Sequence, residues 1–235
     1  MDVKAIVKDI TEALEETSTP ERIALSKYYF PTQMRVIGST NPDAKLVLKS
    51  LKTNYRHFSP DEWIELAVGL VNSEIFECQG IAYDLIGKDK KLWPVITMKD
   101  ILRLKRNLDN WASVDGFGIY VSGIQWRLGT IEDSWIEELL QSDDHWERRL
   151  AVVSTVALNL KSRGGTGDAP RTLWVCEQVI DDRHDLVVKA LSWALRELSK
   201  REPMLVAGFL ETHQSRLANR VIREVSHKLE FGTKN

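Results

Sequence analysis

The amino-acid sequence predicts an all-α fold. Capping side chains stand before prolines at several points, apolar residues return at three- and four-residue intervals, and related helical segments recur along the chain. No convincing run of period-two alternation bounded by hairpin turns competes with that pattern.

Taken in order, Thr19-Pro20, Asn41-Pro42 and Ser59-Pro60 each place a capping side chain before a proline at the first helical position. Ser59-Pro60-Asp61-Glu62 also has capping-box spacing. Behind these starts lie helical stripes: Trp63, Leu66, Ala67 and Leu70, then Trp146, Leu150, Val153 and Ala157. His145, Ala151 and Val152 recur 39 residues later as His184, Ala190 and Leu191, each within an acidic turn followed by an apolar helix. Looser copies centre on Ala82, near Phe117 and on Val221, so successive centres (82, 117, 151, 190, 221) are 35, 34, 39 and 31 residues apart. Those spacings are typical of stacked helical pairs of the HEAT class. The expected architecture is a HEAT-like helical-repeat solenoid, an α–α superhelix in one domain over residues 1–235, whose second helices line a concave face; a non-repetitive helical bundle is the alternative. Residues 162–168 (Ser-Arg-Gly-Gly-Thr-Gly-Asp) lack the Gly-Lys-Ser/Thr of a phosphate loop and read as a flexible connection.

Composition limits the partners. With 32 Lys and Arg against 34 Asp and Glu, the net charge of −2 excludes a histone-like chain. Residues 146–235 nevertheless hold 15 Lys/Arg and 11 Asp/Glu, a net of +4, which leaves −6 for residues 1–145. That asymmetry hints at an anionic partner for one face. Cys78 and Cys176 lie 98 residues apart with no CxxC pattern, which argues against a disulfide framework or zinc knuckle and suits a reducing cytoplasm. The N-terminus lacks the apolar core of a signal peptide, and no stretch approaches the ~20 apolar residues that span a bilayer. A soluble intracellular protein is expected.

Conventional catalytic signatures are nearly absent. The five histidines are scattered without HExxH, no Gly-x-Ser-x-Gly elbow occurs, and the glycines form no dinucleotide fingerprint. Four features remain. In Asn110-Trp111-Ala112-Ser113-Val114-Asp115, Trp111 and Asp115 are four residues apart and project from one helix face. An indole beside a carboxylate is a cradle for a cation, although a core tryptophan and a surface aspartate give the same spacing. In Trp146-Glu147-Arg148-Arg149-Leu150-Ala151, Arg149 lies at the edge of the apolar face, where its guanidinium fork reaches towards a phosphate; by themselves Arg148 and Arg149 read as solvated residues. On the helix predicted for residues 186–200, Lys189, Trp193, Arg196 and Lys200 fall on one stripe, a tryptophan among three cations. Arg216, Arg220, Arg223 and His227 repeat that spacing on the next helix, which makes either a positive track or two solvated faces.

These residues carry a resemblance. Trp111-Ala112-Ser113-Val114-Asp115, Trp146-Glu147-Arg148-Arg149-Leu150-Ala151 and Lys189-Ala190-Leu191-Ser192-Trp193-Ala194-Leu195-Arg196-Glu197 resemble signature segments of the DNA alkylation-repair glycosylases of the AlkD type. Val36-Ile37-Gly38-Ser39-Thr40-Asn41-Pro42 and Phe76-Glu77-Cys78-Gln79-Gly80-Ile81-Ala82 fit the same family, so the resemblance covers residues from about 28 to about 230. It implies HEAT-like repeats embracing duplex DNA and removal of N3- and N7-alkylated purines in base-excision repair, without extruding the lesion into a pocket and without metal or cofactor. It further implies that Asp115 is the catalytic aspartate, that Trp111 and Trp193 flank the lesion's sugar, and that Arg149 contacts phosphate. The sequence departs from the family's Trp-Asp-x-Val-Asp in having Ala112 for the first aspartate, and Asn110 stands where a second aromatic is common.

The expected function is therefore a DNA glycosylase for cationic alkylpurines, cytoplasmic and nucleoid-associated, acting as a monomer on alkylated double-stranded DNA. Lys189, Arg196, Lys200, Arg216, Arg220 and Arg223 join Arg149 as expected DNA-binding residues. A catalytically silent DNA-binding member of the family and a HEAT-type protein-interaction scaffold are the rival readings.

Overall fold

A computed structural model describes residues 1–233, so the last two residues of the expected 1–235 domain lie outside the described residues. The fold is an all-α helical-repeat fold. Among the described residues the sole β pairing is an isolated bridge between Arg35 and Ile75. No helix among them is long and apolar enough to cross a membrane. The chain forms two compact units, Met1–Val121 and Ser122–Asn235.

The first unit holds α1 (Val3–Glu15), α2 (Pro20–Tyr29), α3 (Asn41–Asn54), α4 (Pro60–Asn72), α5 (Phe76–Lys88), α6 (Met98–Leu104) and α7 (Trp111–Phe117). α4 packs against α1 and α6, α5 packs against α3 and α7, and α4 and α5 face each other. Two helix layers result, with α3, α5 and α7 in the same one. Trp63, Leu66, Ala67 and Leu70 are all buried, so the stripe read from the sequence is the core face of α4.

Thr19 and Ser59 cap α2 and α4 as the sequence predicts, and Ser59 closes a capping box with Glu62. At α3 the expected cap is displaced by one residue. Thr40, rather than Asn41, is the N-cap: its hydroxyl accepts from the Asp43 N–H at 3.4 Å, and the Asp43 carboxylate accepts from the Thr40 N–H at 3.0 Å. Asp43 stands three residues after Thr40, so only Thr40 can complete the reciprocal pair, and Asn41 enters the first turn.

The chain between α2 and α3 is fixed from α5. Glu77 is buried, and its carboxylate accepts the backbone N–H groups of Ile37 at 3.0 Å and Gly38 at 2.6 Å. Gly38 has φ +84°, and a Cβ there would lie 2.7 Å from the backbone nitrogen of Ile23. The left-handed backbone and the close approach to α2 both demand glycine.

The second unit holds α8 (Gly123–Leu128), α9 (Asp133–Leu140), α10 (His145–Asn159), α11 (Ala169–Gln178), α12 (Asp185–Leu198), α13 (Pro203–His213) and α14 (Asn219–Phe231). α8, α10, α12 and α14 stand side by side, while α9 and α11 pack on α10, α11 and α13 on α12, and α13 on α14. The repeat centres Ala151, Ala190 and Val221 are fully buried in α10, α12 and α14. Residues 162–168 correct the reading of a flexible connection. Arg201 donates from Nε to the Asn159 carbonyl and from Nη2 to the Gly165 carbonyl, both at 2.9 Å, and Gly167 N–H bonds the Leu158 carbonyl at 3.1 Å. Gly165 is buried under these contacts, and a Cβ there would lie 2.5 Å from the Leu158 carbonyl oxygen, so this glycine serves close packing.

Both cysteines are free and buried. Burial pushes the Cys78 thiol up to about 11 and raises that of Cys176 as well.

Glu77→Ala leaves two buried N–H donors without a partner and should lower stability by about 2–3 kcal/mol. Glu77→Gln, which keeps an acceptor oxygen, should recover part of that loss. Urea denaturation of the three proteins checks the order, and an Ala variant as stable as the parent would show that Glu77 fixes nothing.

Candidate active site

In the first unit, α7 carries Trp111 and Asp115. The helix does not stop at Phe117 but continues through Gly118 as a π-helical stretch, Gly118–Ser122. Asn110 holds its start. This residue is 1% exposed, its Oδ1 accepts from the N–H groups of Ala112 and Ser113 at 3.0 Å, and its Nδ2 donates to Ser113 Oγ at 2.9 Å and to Asp109 Oδ1 at 3.1 Å. Asp109 in turn accepts from the Thr32 hydroxyl at 2.7 Å and the Gln33 N–H at 2.6 Å. The asparagine found in place of an aromatic is thus an N-cap that ties α7 to the chain after α2.

Trp111 lies across this junction. Its Nε1 donates to the Tyr29 carbonyl at 2.9 Å, and its ring centroid lies 4.9 Å from Phe30, which stacks on Phe76 at 5.2 Å. The indole is therefore fixed in position yet 38% exposed. Asp115, one helical turn on, shares that side of α7 and is half-buried. Sequence reasoning missed the aromatic support from α2, although three consecutive aromatics before Pro31 on a largely polar helix are a visible signal. α2 buries none of its residues, and Tyr28 is 78% exposed.

In the second unit, Arg149 on α10 departs from the solvent-facing position expected of it. It is 5% exposed, and its guanidinium donates to the carbonyl of Leu186 in the first turn of α12. Its position on the α12 side of α10 decides this. Trp193, in the middle of α12, is half-buried, and its indole N–H has no hydrogen-bond acceptor among the described residues.

The basic stripes carry internal partners. Lys189 meets Asp185 at 2.6 Å, and Arg220 meets the same carboxylate at 2.7 Å. Lys200 pairs with Glu197 at 2.6 Å, and Arg216 pairs with Asp181. Arg196 is mostly buried, which pulls its pKa down against the opposing charges of Glu224 and Glu197. It donates to Ser192 Oγ at 3.2 Å, and that hydroxyl donates to buried Glu224 at 2.6 Å. Arg196 is thus part of the α12–α14 packing. Arg223 is exposed and has no ion pair among the described residues. Arg216 lies in the turn before α14, because the helix begins only at Asn219. The pairs of Lys189 and Arg220 with Asp185 and of Arg216 with Asp181 are exposed and contribute little, so a polyanion can displace those carboxylates, whereas Lys200 pairs with a buried one. The lysine bond to Asp185, the largest of several causes, holds that carboxyl below its usual range.

At the heads of α10 and α12, His145 and His184 stack with ring centroids 3.9 Å apart. Desolvation first, and then the charge of His184, push the His145 pKa down. No group of three or more His, Cys, Asp or Glu able to hold a metal occurs among the described residues.

A model of the family described as "DNA alkylation repair enzyme" matches residues 10–229. Among solved structures, a predicted DNA alkylation repair enzyme from Enterococcus faecalis superposes with a TM-score of 0.68, covering 89% of this chain and 95% of that one at 18% identity. At that identity the likeness speaks to the fold. No curated protein matches the chain in sequence.

Two outcomes follow from the geometry. Asn110→Ala should cost about 1–2 kcal/mol through the lost cap, and it should shift tryptophan fluorescence as Trp111 loosens; a silent fluorescence spectrum would disprove the coupling. Because the folded-state pKa of His145 is depressed, its contribution is full above pH ~6.5 and is lost as pH falls through the lowered value. His145→Gln should flatten the fall in melting temperature between neutral and mildly acid pH.

Proposed function

The chain belongs to the family of DNA alkylation repair enzymes, and from that premise we propose that it is a monofunctional DNA glycosylase that excises cationic N3- and N7-alkylated purines, such as 3-methyladenine and 7-methylguanine, from duplex DNA. The observation that carries this reading is the preorganised face of α7. There an exposed indole is locked by a hydrogen bond to Tyr29, and a carboxylate projects from the same side one turn later.

The chemistry needs little more. Alkylation at N3 or N7 makes the purine cationic, so the bond from C1′ breaks with its electron pair going to the base, which leaves neutral without a general acid. Positive charge then develops on the deoxyribose, as in other oxocarbenium-like glycoside cleavages. The Asp115 carboxylate stabilises that charge and orients water for addition at C1′, and the water's proton goes to solvent. A preorganised charge of this kind supplies ~3 kcal/mol, or ~10² in rate. The face of Trp111 adds cation–π attraction. Lys189, Lys200, Arg216, Arg220 and Arg223 serve the phosphates, with Arg149 and Arg196 holding α12 in place behind them.

Asp115→Asn keeps shape and hydrogen-bonding reach but removes the charge. It should leave duplex affinity nearly intact while slowing release of 7-methylguanine from alkylated DNA by ~10² or more. Release at the parental rate would remove Asp115 from the mechanism. A parent that binds duplex and releases no alkylpurine would be a silent DNA-binding member of the family.

A further inference from the structure

An aligned row of cations in the first unit lies on α3. Lys45, Lys49 and Lys52 follow one another at i, i+4 and i+7, and Arg56 follows just past the helix at i+11. At 3.6 residues per turn the three lysines fall within an arc of about 60°. Lys45, Lys49 and Arg56 are exposed and have no ion pair among the described residues. Lys52 reaches Asp89, next after α5, at 3.5 Å, which places the stripe on the α5 side of α3. α3 shares its layer with α5 and α7, the layer that bears Trp111 and Asp115.

The charges are segregated as well as aligned. Residues 41–58 contain four Lys and Arg and one acidic residue, Asp43, which is engaged in the cap of α3. α1, in the other layer, contains Asp9, Glu12 and Glu15 among its exposed residues. Like charges four residues apart repel one another and give a helix nothing. On α12, by contrast, carboxylates answer both cations, Lys189 and Arg196, and on α14 they answer Arg220. An uncompensated row spaced along one helix face matches a ligand that presents its own row of negative charges, and a nucleic-acid backbone does so.

We propose that the α3 stripe, centred on Lys45 and Lys49, is a second phosphate-backbone track for duplex DNA, contributed by the acidic half of the chain. This rests on the reading of the chain as a duplex-binding protein, and it adds a binding surface that the charge balance of residues 1–145 conceals.

The test is equilibrium binding of the full chain to an undamaged duplex oligonucleotide across a salt series, for the parent, Lys45→Gln/Lys49→Gln, and Lys8→Gln on α1. Both stripe lysines are exposed, so the double variant should melt with the parent. It should bind about tenfold or more weakly at low salt, and the slope of log K against log salt should shrink by about 1.8, some 0.9 for each phosphate no longer neutralised. Lys8→Gln should change neither quantity. An unchanged affinity and slope in the double variant overturns the proposal while leaving duplex binding standing. A parent that does not bind duplex at low salt overturns both. A double variant that loses slope, in a protein that releases no alkylpurine, overturns the glycosylase reading and leaves the stripe in place.

Discussion

A helix begins with N–H groups that nothing inside it can satisfy, and in the first turn of α7 a buried amide meets them. The side chain of Asn110 satisfies two of the free N–H groups of that turn and hands its own N–H to Asp109, which grips the chain after α2. Trp111 closes the same junction from the other side through the Tyr29 carbonyl. The placement of Trp111, and of Asp115 one turn on, depends on this clamp, and a side chain that is to meet a reacting atom loses most of its value if it wanders by an ångström. The aromatic helix α2, which buries nothing of its own, is held in place by what it does for α7.

Charge is distributed on a different principle in the two units. In the second, Asp185 serves both Lys189 and Arg220, and Glu224 gathers Ser192, Arg196 and Arg220 around one buried carboxylate. Such networks fix helix against helix and keep the surface close to neutral until a stronger anion arrives. In the first unit α3 leaves Lys45 and Lys49 without an ion pair among the described residues. Net charge per half of the chain, which made the second half look like the cationic one, counts residues without counting their partners.

Much of the fold was legible in the sequence because its signals are local. The caps at Thr19 and Ser59, the buried stripe of α4 and the repeated Ala151 and Ala190 all depend on residues within a turn or two of each other. What escaped was decided at long range. Arg201 closes the glycine-rich loop from 36 residues away at Gly165, the Leu186 carbonyl draws in Arg149 across 37, and Tyr29 meets Trp111 across 82. Thr40 and Asn41 are both good caps, and only the partner at Asp43 chooses between them. At the site, Trp111 and Asp115 were visible as a helical pair, whereas the role of Asn110 was hidden because its type suggested a mere departure from the family pattern.

The buried thiols have a consequence for a protein of this family. The electrophiles that methylate purines also attack sulfur, and they do so through the thiolate. With the Cys78 thiol pushed up to about 11 by burial and that of Cys176 raised as well, neither favours the thiolate at neutral pH. Neither sulfur is open to solvent. Burial and the raised pKa both slow alkylation of these sulfurs, so the agents that methylate purines meet two poorly reactive thiols in this chain.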